Sequence, residues 1–368
     1  MTRSLPSSAL PPGAVIGIIG GGQLGRMTAL AAARLGYRCH IFCPDTDSPA
    51  FQVAEFKTVA DYRDGEALER FASVVDVVTF EFENIPSESV RLLSARRPVH
   101  PAWNVLDTAQ DRLNEKKFFH SIDVPTPPWR EIRTRADLAQ AAAEIGFPCV
   151  LKTTRLGYDG KGQAKLDSES DLDSAWDRLG TQTCILEGFV MFEREISVIA
   201  ARDSAGTVVC FDAVENRHVN HILDTTIAPA RISRDLSAKA VAIARRAAEA
   251  TGLVGLLAVE MFVTPDGTIL ANEMAPRPHN SGHWTMDACD TDQFEQLVRA
   301  ICGLPLGSAE RRADAEMKNL IGHDVDLLPS LLQEKGAKIH LYGKKETREG
   351  RKMGHVNRLK TKTSQADP

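Results

Sequence analysis

The stretch from Leu256 to Met274 constrains the fold of this chain most. Two apolar runs flank Pro265-Asp266-Gly267-Thr268, and Asp-Gly between such runs signals a two-residue β-hairpin. With Asp266 and Gly267 as the turn, Pro265 pairs with Thr268, and counting back along both strands sets Glu260 directly opposite Glu273 on one face. Facing like charges destabilise a sheet unless a cation or a shared proton compensates them. Hard carboxylate oxygens in this arrangement suit magnesium. Asn272 adds a side-chain carbonyl oxygen if a strand irregularity turns it inward. Ala258 and Phe262 share the Glu260 face and point to partial burial, against the alternative of two solvated glutamates.

Immediately downstream, Pro276-Arg277-Pro278-His279-Asn280 is held extended by its prolines, so Arg277 and His279 share a side. A fixed arginine fork beside a metal suits a small carboxylate or carbonate anion. His279 taken alone reads equally well as a structural histidine bonded to backbone.

A second constrained stretch runs from Lys152 to Gln163. Cys149 to Thr154 reads as a buried strand from which the Lys152 ammonium projects, and a buried lysine needs an anionic partner. Gly157, Gly160 and Gly162, interleaved with Tyr158, Asp159 and Lys161, suit a mobile hairpin whose N–H groups approach a polyphosphate. The spacing is not that of a Walker A loop. In isolation the stretch also reads as a surface hairpin turning at Asp159-Gly160.

The rest of the chain alternates strand and helix. Val15–Ile19, the turn Gly20 to Gly25 and an alanine-rich helix through Leu35 satisfy G-x-G-x-x-G. Arg38–Cys43 runs into Asp45 and Asp47, and Val77–Phe82 carries Glu81 and ends at Glu83 and Asn84, where ligands of open parallel sheets bind. Those residues serve equally as caps for a helix near Pro86. This half alone permits a nicotinamide-dependent oxidoreductase built on Gly20–Gly25 and Asp45, a reading that leaves the facing glutamates and the second glycine loop unexplained. Helices are expected over Asp111–Ile122, Thr134–Gly146, Ser168–Leu179 and Asp235–Thr251, with strands at Thr183–Glu187, Glu195–Ala201 and Val208–Ala213.

With 368 residues, 43% hydrophobic and 25% charged, the chain has material for two or three domains. A net charge of −5 argues against a nucleic-acid binder that works through bulk charge. Its seven cysteines form no C-x-x-C pair and read as reduced thiols. Met1 to Gly13 has no apolar h-region and reads as a disordered leader, and Gly252 to Val263 is too short to span a bilayer and carries Glu260. A cytoplasmic protein without a membrane segment is expected.

Four signatures together carry a resemblance: Gly-Gly-Gly-Gln-Leu-Gly-Arg-Met at 20 to 27, Thr-Phe-Glu-Phe-Glu-Asn at 79 to 84, Gly-Tyr-Asp-Gly-Lys-Gly-Gln at 157 to 163, and Asn-Glu-Met-Ala-Pro-Arg-Pro-His-Asn-Ser-Gly-His at 272 to 283. From Gly17 to Asn357 the chain resembles the ATP-grasp superfamily and, within it, the N5-carboxyaminoimidazole ribonucleotide synthetases. Leu156 departs from the family, which often has a further glycine there.

The resemblance implies an α/β ATP-grasp fold: a disordered leader to residue 13, a Rossmann-like pre-ATP-grasp substrate domain over 14–107, a glycine-loop lid domain over 108–190, a C-terminal α+β catalytic domain over 191–360 and a disordered tail. It implies ATP held by Arg112, Lys152, the 157 to 163 loop, the backbone of Glu187, Gly188, Phe189 and Val190, Glu195 on the ribose, and His218. Glu260 and Glu273 hold magnesium, with Asn272 beside the nucleotide. Arg277, His279 and Asn280 position bicarbonate. Gln23, Tyr158, Asp159 and Lys161 meet 5-aminoimidazole ribonucleotide, whose phosphate is seated by Lys344, Arg351 and Lys352. The implied reaction carboxylates that substrate through carboxyphosphate, with release of ADP and phosphate. A homodimer and a transient contact with the mutase that takes the product are further expectations. Another ATP-grasp carboxylase or a formate-dependent formyltransferase is the alternative within the superfamily.

Overall fold

The computed structural model describes residues 9–155, 157, 162–180 and 183–363. The N-terminal sheet is parallel, with β1 (Val15–Ile19), β2 (Arg38–Cys43), β3 (Phe56–Val59) and β4 (Val77–Phe80) in the order β3-β2-β1-β4. β1 and β4 are buried throughout, as expected for strands covered on both faces. Helix Gln23–Arg34 follows the glycine turn.

β4 stops at Phe80, two residues short of the expected end, because Glu81 turns into the glycine turn. The Gly22 and Gly25 N–H groups donate to the two Glu81 carboxylate oxygens, the latter at 2.7 Å. A Cβ at Gly20, whose φ is +106°, would lie 2.4 Å from the Glu81 Cγ. The anion position at this helix N-terminus is thus filled by the chain's own carboxylate, which leaves no place for a dinucleotide pyrophosphate there. That removes the main support for the oxidoreductase reading.

The middle sheet is antiparallel, with β5 (Trp129–Ile132), β6 (Cys149–Thr153), β7 (Gln163–Leu166) and β8 (Cys184–Gly188) ordered β5-β8-β6-β7. Helix Arg135–Ile145 begins with the expected Thr134 cap, completed by Asp137 as a capping box. It shares a separate apolar core with this sheet and helix Leu172–Leu179. The connection between the first two sheets passes through helices Trp103–Gln110 and Arg112–Ser121, which break at Asp111, so residue 107 lies inside a helix.

The remaining strands form one large sheet: β9 (Arg194–Arg202), β10 (Val208–Cys210), β11 (Val214–Val219), β12 (Ile222–Ala228), β13 (Gly255–Val263), β14 (Ile269–Ala275), β15 (Asp314–Ile321), β16 (Lys338–Leu341) and β17 (Lys352–Lys360). Its order is β14-β13-β9-β11-β12-β15-β17-β16, with β10 beside β9. Helix Arg234–Ala250 packs one face through Ala240, Ala244, Ala247 and Ala248. A core on the other face runs into the N-terminal domain, where helix Gln23–Arg34 packs on helix Gln293–Ile301.

Both termini are more engaged than expected. Leu10 N–H donates to the Cys302 carbonyl and Gly13 N–H to that of Gly36, so residues 9–13 are docked rather than a free leader. Lys362 pairs with Glu310 and Thr363 bonds Asp314.

The β13–β14 hairpin corrects the expected turn while keeping the expected pair. Thr264 pairs with Thr268 around Pro265-Asp266-Gly267, a three-residue turn in which Gly267 takes φ +80°. The register is one step away from the two-residue prediction up to Met261↔Ala271, and then a bulge at Asn272 restores Glu260↔Glu273. Turn and bulge cancel.

Glu81→Ala strips two helix-turn N–H groups, one buried and one partly buried, of their shared acceptor, and chemical denaturation should register a loss of about 2–3 kcal/mol. A stability unchanged from wild type would show that the carboxylate is not what holds this turn.

Candidate functional site

A cleft of about 890 Å³ lies where the three sheets converge. The middle sheet and its following loop contribute Lys152, Gln163, Glu187, Gly188, Phe189 and Val190, together with Gly157. The large sheet contributes Glu195, His218, Glu260, Asn272 and Glu273, and the extended segment after it adds Arg277, His279 and Asn280. Gln23 enters from the N-terminal domain, Arg112 from its helix start and Lys352 from β17. Gly162 adjoins Gly157 and Thr153 behind this surface. Tyr158, Asp159, Gly160 and Lys161 lie outside the described residues. Lys344 stands behind Lys352, its ammonium donating to the Lys352 carbonyl at 2.7 Å, and Arg351 bonds the Glu346 carbonyl rather than lining the cleft.

The buried charges are stitched together. Lys152 finds its anionic partner in Glu187 at 2.7 Å, and Lys116, fully buried, reaches the other Glu187 oxygen at 3.2 Å. The Glu187 side chain is therefore structural, in addition to the backbone role expected of it. Burial works to raise this carboxyl, but the Lys152 and Lys116 ammoniums overcome it and hold the group far below the usual carboxylate range. Burial, reinforced by Arg112 and the second lysine, lowers the Lys152 ammonium against the pull of Glu187. That readies it for a further anion.

Helix Arg112–Ser121 clamps the bulge from the same side. Arg112 pairs with Glu273 at 3.0 Å, the Glu115 carboxylate accepts the Met274 N–H at 2.6 Å, and the Lys116 ammonium donates to the Asn272 carbonyl at 2.8 Å. Burial raises the Glu115 carboxyl to about 8. Across the hairpin, Glu260 accepts from His279 Nε2 at 2.8 Å. Burial alone would raise the Glu260 carboxyl, yet His279, His218 and Arg277 bring it below the ordinary value. Glu195 pairs with His218, and Arg277 with Glu83 of the N-terminal domain at 2.6 Å.

Of the buried amide atoms that line the cleft, three lack a partner among the described residues: Asn272 Oδ1, and Asn280 Oδ1 and Nδ2. Buried polar atoms are normally satisfied, so these mark positions for a ligand. Two carboxylates and the Asn272 carbonyl make a hard-oxygen set that fits magnesium. Among the described residues no group of three His, Cys, Asp or Glu side chains gathers, so the residues that would hold the ion are Glu260, Glu273 and the Asn272 side-chain oxygen.

Lys116 and Glu115 escaped the sequence reading, although a signal was there. Arg112, Glu115, Lys116 and Phe119 follow the i, i+3, i+4, i+7 spacing of one helix face, which marks the charges as facing the same way as a buried phenylalanine.

Comparison with known proteins agrees with this geometry. Residues 14–110 match the ribonucleotide synthetase preATP-grasp domain, 117–294 the ATP-grasp domain and 315–367 the phosphoribosylaminoimidazole carboxylase C-terminal domain. An N5-carboxyaminoimidazole ribonucleotide synthase of Brucella melitensis is 49% identical, over 98% of this chain and 100% of that protein. The chain belongs to the N5-carboxyaminoimidazole ribonucleotide synthetases. Among solved members of the family, an ADP complex superposes with TM-score 0.93 at 46% identity, covering 98% of this chain and 95% of the other. A synthase of Aspergillus clavatus in complex with ADP and 5-aminoimidazole ribonucleotide gives TM-score 0.89 at 31% identity, covering 95% and 94%. The chain spans 37% of a bifunctional purine synthesis protein of Dictyostelium discoideum, to which it is 47% identical over 94% of its own length. As in an ATP-grasp ligase, the three matched domains border one cleft. No described helix is long and apolar enough to cross a membrane.

The depressed Glu187 carboxyl fixes a pH dependence. A folded-state value below the unfolded one gives stability that is complete above about pH 4.3 and drains away as pH falls beneath it. Glu187→Gln should cost about 3–5 kcal/mol at pH 7, since it leaves two buried lysines without their carboxylate. Urea titrations should show the gap from wild type narrowing below pH 4, and a gap constant with pH would contradict the assignment.

Proposed function

We infer that this cleft carboxylates 5-aminoimidazole ribonucleotide with ATP and bicarbonate, giving N5-carboxyaminoimidazole ribonucleotide, ADP and phosphate in purine biosynthesis. The observation that carries the reading is the Glu260↔Glu273 pair, with the unpartnered Asn272 oxygen beside it, in the same cleft as Lys152 and Arg112.

ATP lies between the middle and large sheets in this reading. Phe189 and Val190 flank the adenine, Glu195 accepts from the ribose hydroxyls beside His218, and Arg112 and Lys152 meet the phosphates. Glu260, Glu273 and Asn272 would hold magnesium, which neutralises charge on the phosphoryl group in transit. Bicarbonate is a poor electrophile. Its oxygen attacks the γ-phosphorus, ADP leaves, and the resulting carboxyphosphate carries a good leaving group. The exocyclic amine then attacks its carbon, phosphate departs and the amine loses a proton.

Arg277, held by Glu83, and Asn280, with a free amide, suit the carbonate group. Gln23 faces the same space from the N-terminal domain. Enclosure matters because water destroys an acyl phosphate, and in this reading it falls to the 157 to 163 stretch, which in the sequence follows the strand that carries Lys152. In this reading the ribonucleotide phosphate is seated by Lys352, which lines the cleft, with Lys344 supporting it from behind and Arg351 outside them. Among the described residues none of the seven cysteines forms a disulfide, which suits the reducing cytoplasm.

Glu273→Gln should lower ADP release stimulated by both substrates on the order of a hundredfold, about 2.7 kcal/mol of transition-state stabilisation. Equal release by variant and wild type would refute the metal role. Replacing bicarbonate with formate should abolish the stimulation, whereas a formyltransferase would keep it.

Lys344 supplies a second check. Burial, with Arg351 and Lys352 nearby, lowers its ammonium to about 8, so its charge disappears as pH rises through that value. The kcat/KM for the ribonucleotide should fall above pH 8 in wild type and fall less in Lys344→Arg. Parallel pH profiles would remove Lys344 from the phosphate position.

A further inference from the structure

Behind His279 lies a buried file of polar side chains that the proposed reaction does not use. The Thr226 hydroxyl donates to Asn216 Oδ1 at 3.0 Å, Asn216 Nδ2 donates to Ser197 Oγ at 2.9 Å, and Ser197 Oγ lies 2.7 Å from Ser281 Oγ. Ser281 Oγ in turn lies 2.8 Å from His279 Nδ1, and His279 Nε2 lies 2.8 Å from Glu260 Oε1. Thr226, Ser197 and Ser281 are fully buried. No water is needed to complete the file.

Its direction is decided by a group that cannot reverse. His279 caps the short turn Asn280–Gly282, and its Nδ1 accepts the Ser281 backbone N–H at 3.4 Å. A proton on Nδ1 would face that N–H head on. Nδ1 must therefore be an acceptor, which makes the Ser281 hydroxyl a donor to it and leaves Ser281 Oγ to accept from Ser197. Ser197 then accepts from Asn216, and the Thr226 hydroxyl keeps its acceptor. Turning the Asn216 amide over and running the file backwards leaves the buried Thr226 hydroxyl without an acceptor, a loss that burial makes expensive. Both constraints select one polarity.

We propose that Thr226, Asn216, Ser197 and Ser281 form a one-way hydrogen-bond relay that fixes His279 with its proton on Nε2, directed at Glu260, so that the relay orients a magnesium-binding carboxylate from behind. The relay residues are positioning residues. In this state His279 is a hydrogen-bond donor to Glu260, and Nε2 has no lone pair with which to act as a base. One Glu260 oxygen is tethered and the other is left for the cation, the arrangement by which outer groups orient a metal ligand. Successive donors pointing the same way polarise one another, which strengthens the last bond on the carboxylate. This rests on the magnesium role inferred for Glu260, but the tautomer does not.

The two are separated by experiment. Long-range proton–nitrogen spectra of protein labelled with 15N-histidine, assigned through the signal lost in His279→Gln, read the tautomer without any ligand. Wild type should show His279 with Nε2 protonated and Nδ1 bare, and Ser281→Ala, which removes the 2.8 Å hydroxyl and leaves Nδ1 only the long 3.4 Å contact from the backbone N–H of residue 281, should shift both nitrogens towards a tautomer mixture. Ser197→Ala, which leaves the Ser281 hydroxyl in place but free to turn away, should move them in the same direction. Both variants should raise the magnesium concentration needed for half-maximal ADP release about tenfold, with KM for the ribonucleotide unchanged. A wild-type His279 protonated on Nδ1, or variants with wild-type spectra, would overturn the relay. A normal tautomer response with no change in magnesium requirement would overturn its role towards Glu260. Wild-type protein lacking bicarbonate-stimulated turnover would instead count against the proposed reaction.

Discussion

Everything in this cleft depends on keeping two carboxylates ionised while they face each other across neighbouring strands. In an ordinary sheet that pairing is repulsive. Here each glutamate is given its own partner from a different direction: Arg112 pairs with Glu273 from the helix on one side, and His279 donates a hydrogen bond to Glu260 from the extended segment on the other. The bulge at Asn272 serves the same end. An extra residue increases local twist and re-aims side chains, and the carboxamide oxygen of that residue is left buried without a partner. Bulges are themselves weak points in a ladder, and this one is pinned on both flanks by Glu115 and Lys116.

The same lysine explains how separate layers act as one site. Lys116 bonds the Asn272 carbonyl in the large sheet and the Glu187 carboxylate in the middle sheet, while Lys152 holds the other Glu187 oxygen. Two ammoniums share one carboxylate, and Arg112 lies close enough to add to their field. With Arg112 paired to Glu273, the two ammoniums against the single Glu187 carboxylate leave the balance here positive. Such a balance is costly in the interior unless an anion completes it. A polyphosphate supplies what the arrangement lacks, and this gives a physical reason for the Lys152 strand to enter the cleft at all.

Much of this was legible in residues 256 to 274, though for partly wrong reasons. The Asp-Gly turn rule predicted a two-residue loop, whereas Pro265 joins the turn and Gly267 adopts a left-handed conformation, giving three. A single miscount of that kind flips every side chain. The Glu260↔Glu273 pair survived because the bulge supplies the compensating residue, and bulges leave no sequence signal as strong as a turn does. Lys116 was hidden for another reason. Its burial depends on a strand more than 150 positions away, and only the coincidence of its helical face with Phe119 hinted at it. The relay behind His279 joins three strands and a turn, so no local pattern announces it.

The glycine turn shows how far a motif can be separated from its usual ligand. Gly20 to Gly25 has the spacing that elsewhere cradles a pyrophosphate, and the backbone forms the same strand, turn and helix. What differs is one residue past β4. Glu81 reaches back across the sheet and places its two oxygens on the N–H groups that a dinucleotide would have used. The helix dipole and the N–H donors are satisfied from inside, so selection at this end of the sheet passes to the side chains around it, with Gln23 and Glu83 turned towards the cleft. Glu83 anchors Arg277 and thereby couples the N-terminal domain to the segment beyond the carboxylate hairpin. A fold built to hold a cofactor's phosphates has in this way become one wall of a site that lies between domains, with its own anion position used as a structural rivet.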